Sequence, residues 1–303
     1  MGIAAVLEAA AAVATGQAQT VLLASGQAGM YTDHSSTSPW TRPSNEFVEC
    51  WGLYTAAEFA LIAKRHMSLY GTKPEQLAEV ASAIRSNGAL NPEAVYHGRP
   101  CTPQDVLDSR MIADPFHLLD CAMNSEGGGA LLMTTAERAR DLDVEPIYIL
   151  GGALDRQGMS YVTAPVYDRY GMVGRRAAKI SFEQAGLKPQ DVDVCEFYDP
   201  FSFELIRQFE AFGFCLEGEG GEFVMNGRVR IDGEFPLCTN GGLMSFSHCG
   251  VIQMLQKVIG SVQQLWGMYD DAITVPDAKV VMASNGGAGA LFCDTILLGK
   301  ERP

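Results

Sequence analysis

The sequence predicts an α/β layered fold built around a duplicated unit, and two observations predict it. Helix-period segments alternate along the chain with short apolar, strand-like runs, the pattern of layered α/β architecture. A helix–strand–glycine-turn unit also occurs near both ends. In the first copy Gly2-Ile-Ala-Ala-Val-Leu-Glu8 opens a helix, and Val21-Leu-Leu-Ala-Ser-Gly-Gln-Ala-Gly29 runs from a strand into glycines. In the second, Gly250-Val-Ile-Gln-Met-Leu-Gln256 opens the helix and Val280-Val-Met-Ala-Ser-Asn-Gly-Gly-Ala-Gly289 follows. The second helix is preceded by Thr239-Asn-Gly-Gly-Leu-Met-Ser-Phe-Ser-His-Cys249. The first copy has no counterpart to that segment, because the sequence begins at Met1.

The elements follow in order. Residues 3–15 read as a helix ended by Gly16, and the apolar run 20–24 as a buried strand. Residues 28–52 carry Ser, Thr, Pro and Trp without a period and read as loop. Helices are expected at 54–70 and 74–87, the second opened by Pro74 with Thr72 as its cap. Asn91-Pro92, Arg99-Pro100 and Asp114-Pro115 break residues 88–125. A strand at 129–133 and a helix at 135–141 close the first unit. The second opens with a strand at 146–153, followed by a helix at 172–186 ended by Gly186 and a strand at 192–197. A helix at 201–213, an acidic glycine-rich loop from Glu217 to Glu222, a helix at 250–266 and strands at 279–283 and 290–298 complete it. The domain boundary therefore falls between 1–145, which holds a loop region of about 28–125, and 146–303.

Composition narrows the function. The chain has 303 residues with 22 Lys+Arg against 36 Asp+Glu, a formal charge of −14. Such a surface repels nucleic-acid backbones and anionic lipid, though it leaves room for a local basic groove. No apolar run reaches the roughly 18 residues that a membrane span needs. Gly2 to Thr15 is apolar and Ala-rich, but the first Lys or Arg is Arg42, so it lacks the basic start of a signal peptide and reads as a helix. Eight cysteines lie far apart with no Cys-x-x-Cys pair, which excludes a disulfide scaffold and a zinc finger. The expectation is a cytoplasmic protein with free thiols and no metal site.

Four segments together resemble the thiolase superfamily, in its sterol carrier protein X and steroid side-chain aldolase branch. They are His66-Met-Ser-Leu-Tyr-Gly-Thr72 with Gln76-Leu77; Asp108-Ser-Arg-Met-Ile-Ala-Asp-Pro115 with Leu118-Leu-Asp-Cys121 and Glu126-Gly-Gly-Gly-Ala130; Cys195-Glu-Phe-Tyr-Asp-Pro-Phe201; and Gly213-Phe-Cys-Leu-Glu-Gly-Glu-Gly-Gly221 with Asn240-Gly-Gly242 and His248. Glu126 stands where that family usually has Asp. The resemblance implies a thiolase fold: duplicated five-stranded mixed sheets in helix–sheet layers, a loop domain, and here an incomplete N-terminal half. It implies an acyl-CoA substrate, with coenzyme A present only as part of that substrate and no tightly bound cofactor. It also implies a homodimer, and a small zinc-ribbon and OB-fold protein as partner.

The residues suggest how such chemistry is carried. His248 follows a Gly-Gly turn and precedes a helix, where a donor can stabilise a thioester enolate. Tyr198 and Asp199 end a strand. Tyr198 can exchange a proton, and Asp199 is either a second active residue or the cap before Pro200. Asn240, Gly241 and Gly242, with Ser284, Asn285, Gly286 and Gly287, are candidates to bind substrate or an oxyanion. By the resemblance, the family's second acid/base group falls on Ala283, which cannot move a proton, and its nucleophilic cysteine precedes the first helix. The second tyrosine of the related aldolases is matched by Phe246. Cys249 beside His248 reads as structural, like Cys121 and Cys293. Coenzyme A phosphates could meet Lys64, Arg65, Lys73, Arg85, Arg99 and Arg110. Three functions stay open at this point. The first is retro-aldol cleavage of a β-hydroxyacyl-CoA. The second is thiolase or acetyl-CoA acyltransferase chemistry with the cysteine supplied elsewhere, and the third is a non-catalytic thiolase-like subunit.

Overall fold

Gly16, at φ +76°, ends the first helix, α1 (Gly2–Ala14), in a left-handed turn that a side chain would strain. The computed structural model describes residues 2–28, 55–158, 166–249, 253–287 and 291–301. Strand β1 (Thr20–Gln27) follows α1. Helices α2 (Thr55–Tyr70), α3 (Pro74–Leu90) and α4 (Pro103–Asp108) come next, then the short pair β2 (Met111–Ala113) and β3 (Phe116–His117). Strand β4 (Gly127–Thr134) and helix α5 (Ala136–Ala139) close the first half. The second half runs β5 (Tyr148–Ala153), α6 (Tyr167–Tyr170), α7 (Arg175–Ala185), β6 (Val194–Glu196), α8 (Ser202–Ala211) and α9 (Gly220–Phe223). A π turn (Gly242–Phe246), helix α10 (Gln253–Trp266) and strands β7 (Val280–Gly287) and β8 (Phe292–Gly299) complete it.

The duplication is visible in three dimensions. In one half α1 leads into β1, which pairs antiparallel with β4; in the other α10 leads into β7, which pairs antiparallel with β8. The two helices pack against each other. Ile3 and Val6 of α1 share one apolar cluster with Leu255, Val258 and Val262 of α10 and with Val281, Ala283 and Ile296 of the sheet. The larger sheet has the order β5-β8-β7-β6, with β6 and β7 parallel and its other pairs antiparallel.

Strands 7 and 8 are buried on both faces, which explains their unbroken apolar reading. Strand β1 differs from its expected burial. Its side chains alternate, with Leu23 on the core side and Leu22 65% exposed, beside Leu132 of β4 at 59%. The run Thr20–Ala24 therefore has one open apolar face.

Other expectations shift locally. Thr72 does not cap α3; its hydroxyl meets His66 Nδ1 at 2.9 Å. The cap position is Lys73, whose N–H donates to Gln76 Oε1 at 2.8 Å. The stretch 88–125, broken at its X-Pro steps, holds α4, β2 and β3, and the acidic loop includes α9. Most of the expected loop 28–52 lies outside the described residues.

Glu58 of α2 is buried, and burial pushes its carboxyl from an ordinary 4.5 up to about 7. Between those values the folded chain holds a proton that the unfolded chain releases, so this residue's contribution to stability falls as pH rises through that window. Glu58→Gln is therefore expected to change stability little at pH 4 and to raise it by up to about 3 kcal/mol at pH 8. Urea unfolding at the two pH values checks this.

Candidate active site

Strand β6 delivers Phe197, Tyr198 and Asp199 to the end of the large sheet. The backbone of Tyr198 is fixed on both sides. Its N–H donates to Ser284 Oγ at 2.9 Å, and its carbonyl accepts from Gln208 Nε2 of α8 at 2.7 Å. The Ser284 hydroxyl in turn donates to Gln208 Oε1. Ser284 was expected in a turn after the strand. It lies instead inside β7, fully buried, with its hydroxyl engaged in holding Tyr198. Gly286 of the same strand lets the Tyr198 ring approach, since a Cβ there would meet ring Cδ1 at 3.2 Å and the Phe292 carbonyl at 3.0 Å. Asn285 and Gly287 pair with Asp294 and Phe292 across the sheet. Ala283 is buried opposite Ile296 and offers no proton-carrying group.

Asp199 is buried and does not cap α8, whose preceding residue is Phe201. It caps the π turn instead: its Oδ2 accepts the N–H groups of Leu243 at 2.8 Å and Met244 at 3.1 Å. A side chain at Gly242 would collide with this carboxylate. Asn240 frames the turn from the other side. Its Oδ1 accepts the Gly242 N–H at 2.9 Å, its Nδ2 donates to Tyr269 Oη at 3.2 Å, and its carbonyl accepts from Asn91 Nδ2 at 2.9 Å. Gly241, at φ +102°, lies against Gly88 of α3, whose Cα would sit 2.5 Å from any Cβ at 241.

The π turn leads to His248, which is buried. Its backbone N–H donates to Ser125 Oγ at 2.8 Å, and Nδ1 lies 2.9 Å from the Met123 carbonyl. A carbonyl only accepts, so Nδ1 carries the proton. Burial holds the ring neutral, bringing its pKa from 6.5 down to about 4. In that tautomer Nε2 presents a lone pair rather than a hydrogen. The expected enolate donor is thus, at rest, a proton acceptor. Cys249 turns to Ser247, with Sγ 2.8 Å from Oγ. Asp199 links the segment of Tyr198 to the turn that ends just before His248, so one framework sets both.

Several of these partners escaped the sequence reading. Gln208, Ser125 and Met123 carry no motif of their own. Lys257 did leave a signal: a lysine within the apolar face of α10, between Leu255 and Val258. Its Nζ lies 2.6 Å from Asp199 Oδ1 and 3.7 Å from Glu196 Oε2. Burial opposes its charge, but Asp199, with Cys238 and Glu196, outweighs that and holds the ammonium protonated.

Of the six basic residues expected near coenzyme A, four have described partners, Arg99 by lying over the Tyr96 ring at 5.4 Å. Lys64 pairs with Asp114 at 2.8 Å and Arg65 with Asp168 at 3.2 Å, both at the surface. Arg85 is buried and donates to the carbonyls of Leu119 and Cys121 at 2.8 and 2.9 Å, which makes it part of the frame. Cys121 and Cys215 are pushed up to about 12 by burial, far from thiolate. Among the described residues no group of His, Cys, Asp or Glu is arranged to hold a metal ion, and no helix is long and apolar enough to cross a membrane.

Comparison with known proteins identifies the family. Residues 166–300 match the Thiolase C-terminal domain-like family. A steroid side-chain-cleaving aldolase of Thermomonospora curvata is 34% identical, over 92% of this chain and 77% of its own. A 17-hydroxy-3-oxo-4-pregnene-20-carboxyl-CoA lyase of Mycobacterium tuberculosis is 33% identical, over 93% and 75%. An acetyl-CoA acetyltransferase of Methanothermobacter thermautotrophicus is 32% identical, over 92% and 72%. The solved Ltp2-ChsH2(DUF35) aldolase superposes with a TM-score of 0.85 at 30% identity, covering 99% of this chain and 78% of that one. The dimeric peroxisomal thiolase of Saccharomyces cerevisiae, at 14% identity and a TM-score of 0.65, shares the fold. The chain therefore belongs to the thiolase superfamily, in the branch that holds the steroid side-chain-cleaving aldolases.

Proposed function

We propose that the chain cleaves a β-hydroxyacyl-CoA by a retro-aldol reaction, with Tyr198 and His248 as its catalytic pair. The observation that carries this reading is a neutral His248 whose Nδ1–H is fixed on Met123, beside a sheet whose Ala283 and Ser284 supply no second proton carrier. Thiolysis needs a nucleophilic thiolate and a second acid/base group. Retro-aldol cleavage needs only a base for the hydroxyl and donors for the enolate.

The step balances as follows. His248 Nε2 takes the proton of the β-hydroxyl, and the oxygen electrons form the carbonyl of the departing ketone or aldehyde. The Cα–Cβ bond breaks, and its electron pair moves into the thioester as an enolate. The imidazolium so formed becomes the donor that a neutral ring is not. It stabilises the enolate with the Tyr198 hydroxyl, and the proton returns to Cα. No coenzyme A is consumed and no covalent intermediate forms. Asp199, Asn240, Gly241 and Gly242 hold the turn, while Ser284 and Gly286 hold Tyr198. Asn285 and Gly287 complete the strand beside it.

The names of the similar lyase and aldolase point to an acyl group that is the side chain of a polycyclic steroid ring system. The open face around Leu22 and Leu132 supports association, as a homodimer and with a DUF35-type zinc-ribbon and OB-fold partner that helps hold the acyl-CoA. The acidic charge and free thiols fit a cytoplasmic setting. Incubation with a β-hydroxyacyl-CoA in the absence of added coenzyme A should release a shortened acyl-CoA and a carbonyl product in equal amounts. Turnover of a β-ketoacyl-CoA that requires free coenzyme A would instead assign the thiolase reaction.

A further inference from the structure

We propose that Lys257 is a positioning residue for this reaction: its buried ammonium ties Asp199, Cys238 and Glu196 together and so fixes the segment that carries His248. The proposal rests on the retro-aldol reading for its kinetic effect, but not for its structural one.

The geometry is closed. Lys257 is 1% exposed. Its Nζ donates to Cys238 Sγ at 3.1 Å and lies 2.6 Å from Asp199 Oδ1. The chain from Cys238 to Lys257 thus leaves this ammonium and returns to it, with His248 in between. Cys238 itself sits at φ +47°, a left-handed conformation unusual for a residue with a side chain, and its N–H donates to the Cys195 carbonyl at 2.9 Å. Glu196 Oε1 accepts the Thr239 N–H at 3.0 Å. The middle of the segment is held at Leu243 and Met244 by the other oxygen of Asp199. One cation therefore steadies two carboxylates, of which one holds Thr239 just before the turn and the other holds Leu243 and Met244 within it.

The charge itself is needed. Glu196 and Asp199 are both buried, and burial pushes both carboxyls upward against the pull of Lys257. Without that pull each would hold a proton to higher pH still, or remain as an uncompensated buried charge. The charged and titratable groups around the ammonium are Glu196 on β6, Asp199 beyond its end, Cys238 and His248 on the loop, and Tyr269 beyond α10. His248 senses the same charge, which adds to burial in keeping its imidazole neutral. Lys257 thus sets both the place of the imidazole and part of its protonation state.

Lys257→Met keeps most of the length of the side chain and removes the charge. It is expected to lower kcat by 10- to 100-fold with the KM for acyl-CoA changed less than threefold, the deficit deepening as pH rises and Asp199 ionises without a partner. The His248 titration, read by NMR, should move upward. Exchange of the Leu243 and Met244 amides should quicken at least tenfold at pH 8. Lys257→Met with Asp199→Asn removes the unpaired charge while keeping an acceptor for those amides, and should restore their protection and most of the activity. Unchanged amide exchange in Lys257→Met overturns the proposal, whatever the activity. So does a double variant no better than the single one, including the case where neither folds. Quickened exchange in a protein whose wild type turns over no β-hydroxyacyl-CoA leaves the clamp standing and removes the reaction.

Discussion

Tyr198→Phe is expected to lower kcat by roughly 10²–10⁴-fold, the usual worth of a positioned proton donor or acceptor. The change deletes one oxygen and nothing else. The ring still rests on Gly286, and the backbone still bonds Ser284 and Gln208, none of which involves the phenol. Thermal stability should therefore hold while turnover falls, and a fully active Tyr198→Phe enzyme would remove the hydroxyl from the mechanism. His248→Gln should cost a similar factor, and the double variant much less than the product of the two, because both residues are proposed to serve one proton path. The pH profile gives a separate check. A base with its pKa near 4 is lost only as pH falls through that value, so kcat/KM should keep its acid limb near 4 rather than near the ordinary 6.5 of histidine. Cys249→Ser should be close to neutral, since its sulfur faces Ser247.

How much of this was legible beforehand varies with the physics involved. Helices and strands that bury an apolar face announce themselves by period, so α1, α7, α8 and β8 fell near their expected bounds. The duplication was legible because two short patterns recur, and the shared cluster of α1 and α10 gives it physical form. Burial was less legible. A run such as Thr20–Ala24 reads the same whether one face or two are covered, and only the pairing with β4 leaves Leu22 open. The turn after β7 was misplaced because Ser-Asn-Gly-Gly is turn chemistry in sequence. The Ser284 hydroxyl finds its partners inside the strand, and the Tyr198 ring requires the glycine.

The site was legible as a set of residue types and only partly as a set of roles. Tyr198 and His248 stood out by their neighbours in the chain. The protonation state of His248 could not, because it is fixed by a carbonyl at Met123, far off in sequence. Asp199 before Pro200 has the sequence of a helix cap, yet the turn it caps lies over forty residues further on, at Leu243. Long-range partners of this kind leave no local trace. The exception is a charged residue on an otherwise apolar helix face, which is how Lys257 could have been singled out.

Arg207→Met is expected to destabilise the fold by about 3–5 kcal/mol, the largest stability loss of any single change considered. Arg207 of α8 is fully buried, and its guanidinium forms a fork on Glu204, with Nε 2.8 Å from Oε2 and Nη2 on Oε1. Its remaining nitrogen, Nη1, donates to the carbonyls of Gly171 and Val173 at 3.0 and 2.7 Å. These bonds pin the turn before α7 to α8, the helix that also supplies Gln208 to Tyr198. Methionine fills much of the volume but leaves Glu204 as a buried, unpaired carboxylate and strips two carbonyls of their donor. The size of the loss thus comes from what remains behind rather than from the worth of the pair. Arg207→Met with Glu204→Leu removes the stranded charge as well and should recover more than half of the loss in urea unfolding. Equal destabilisation in the single and double variants would place the cost in the two carbonyls and the turn they belong to.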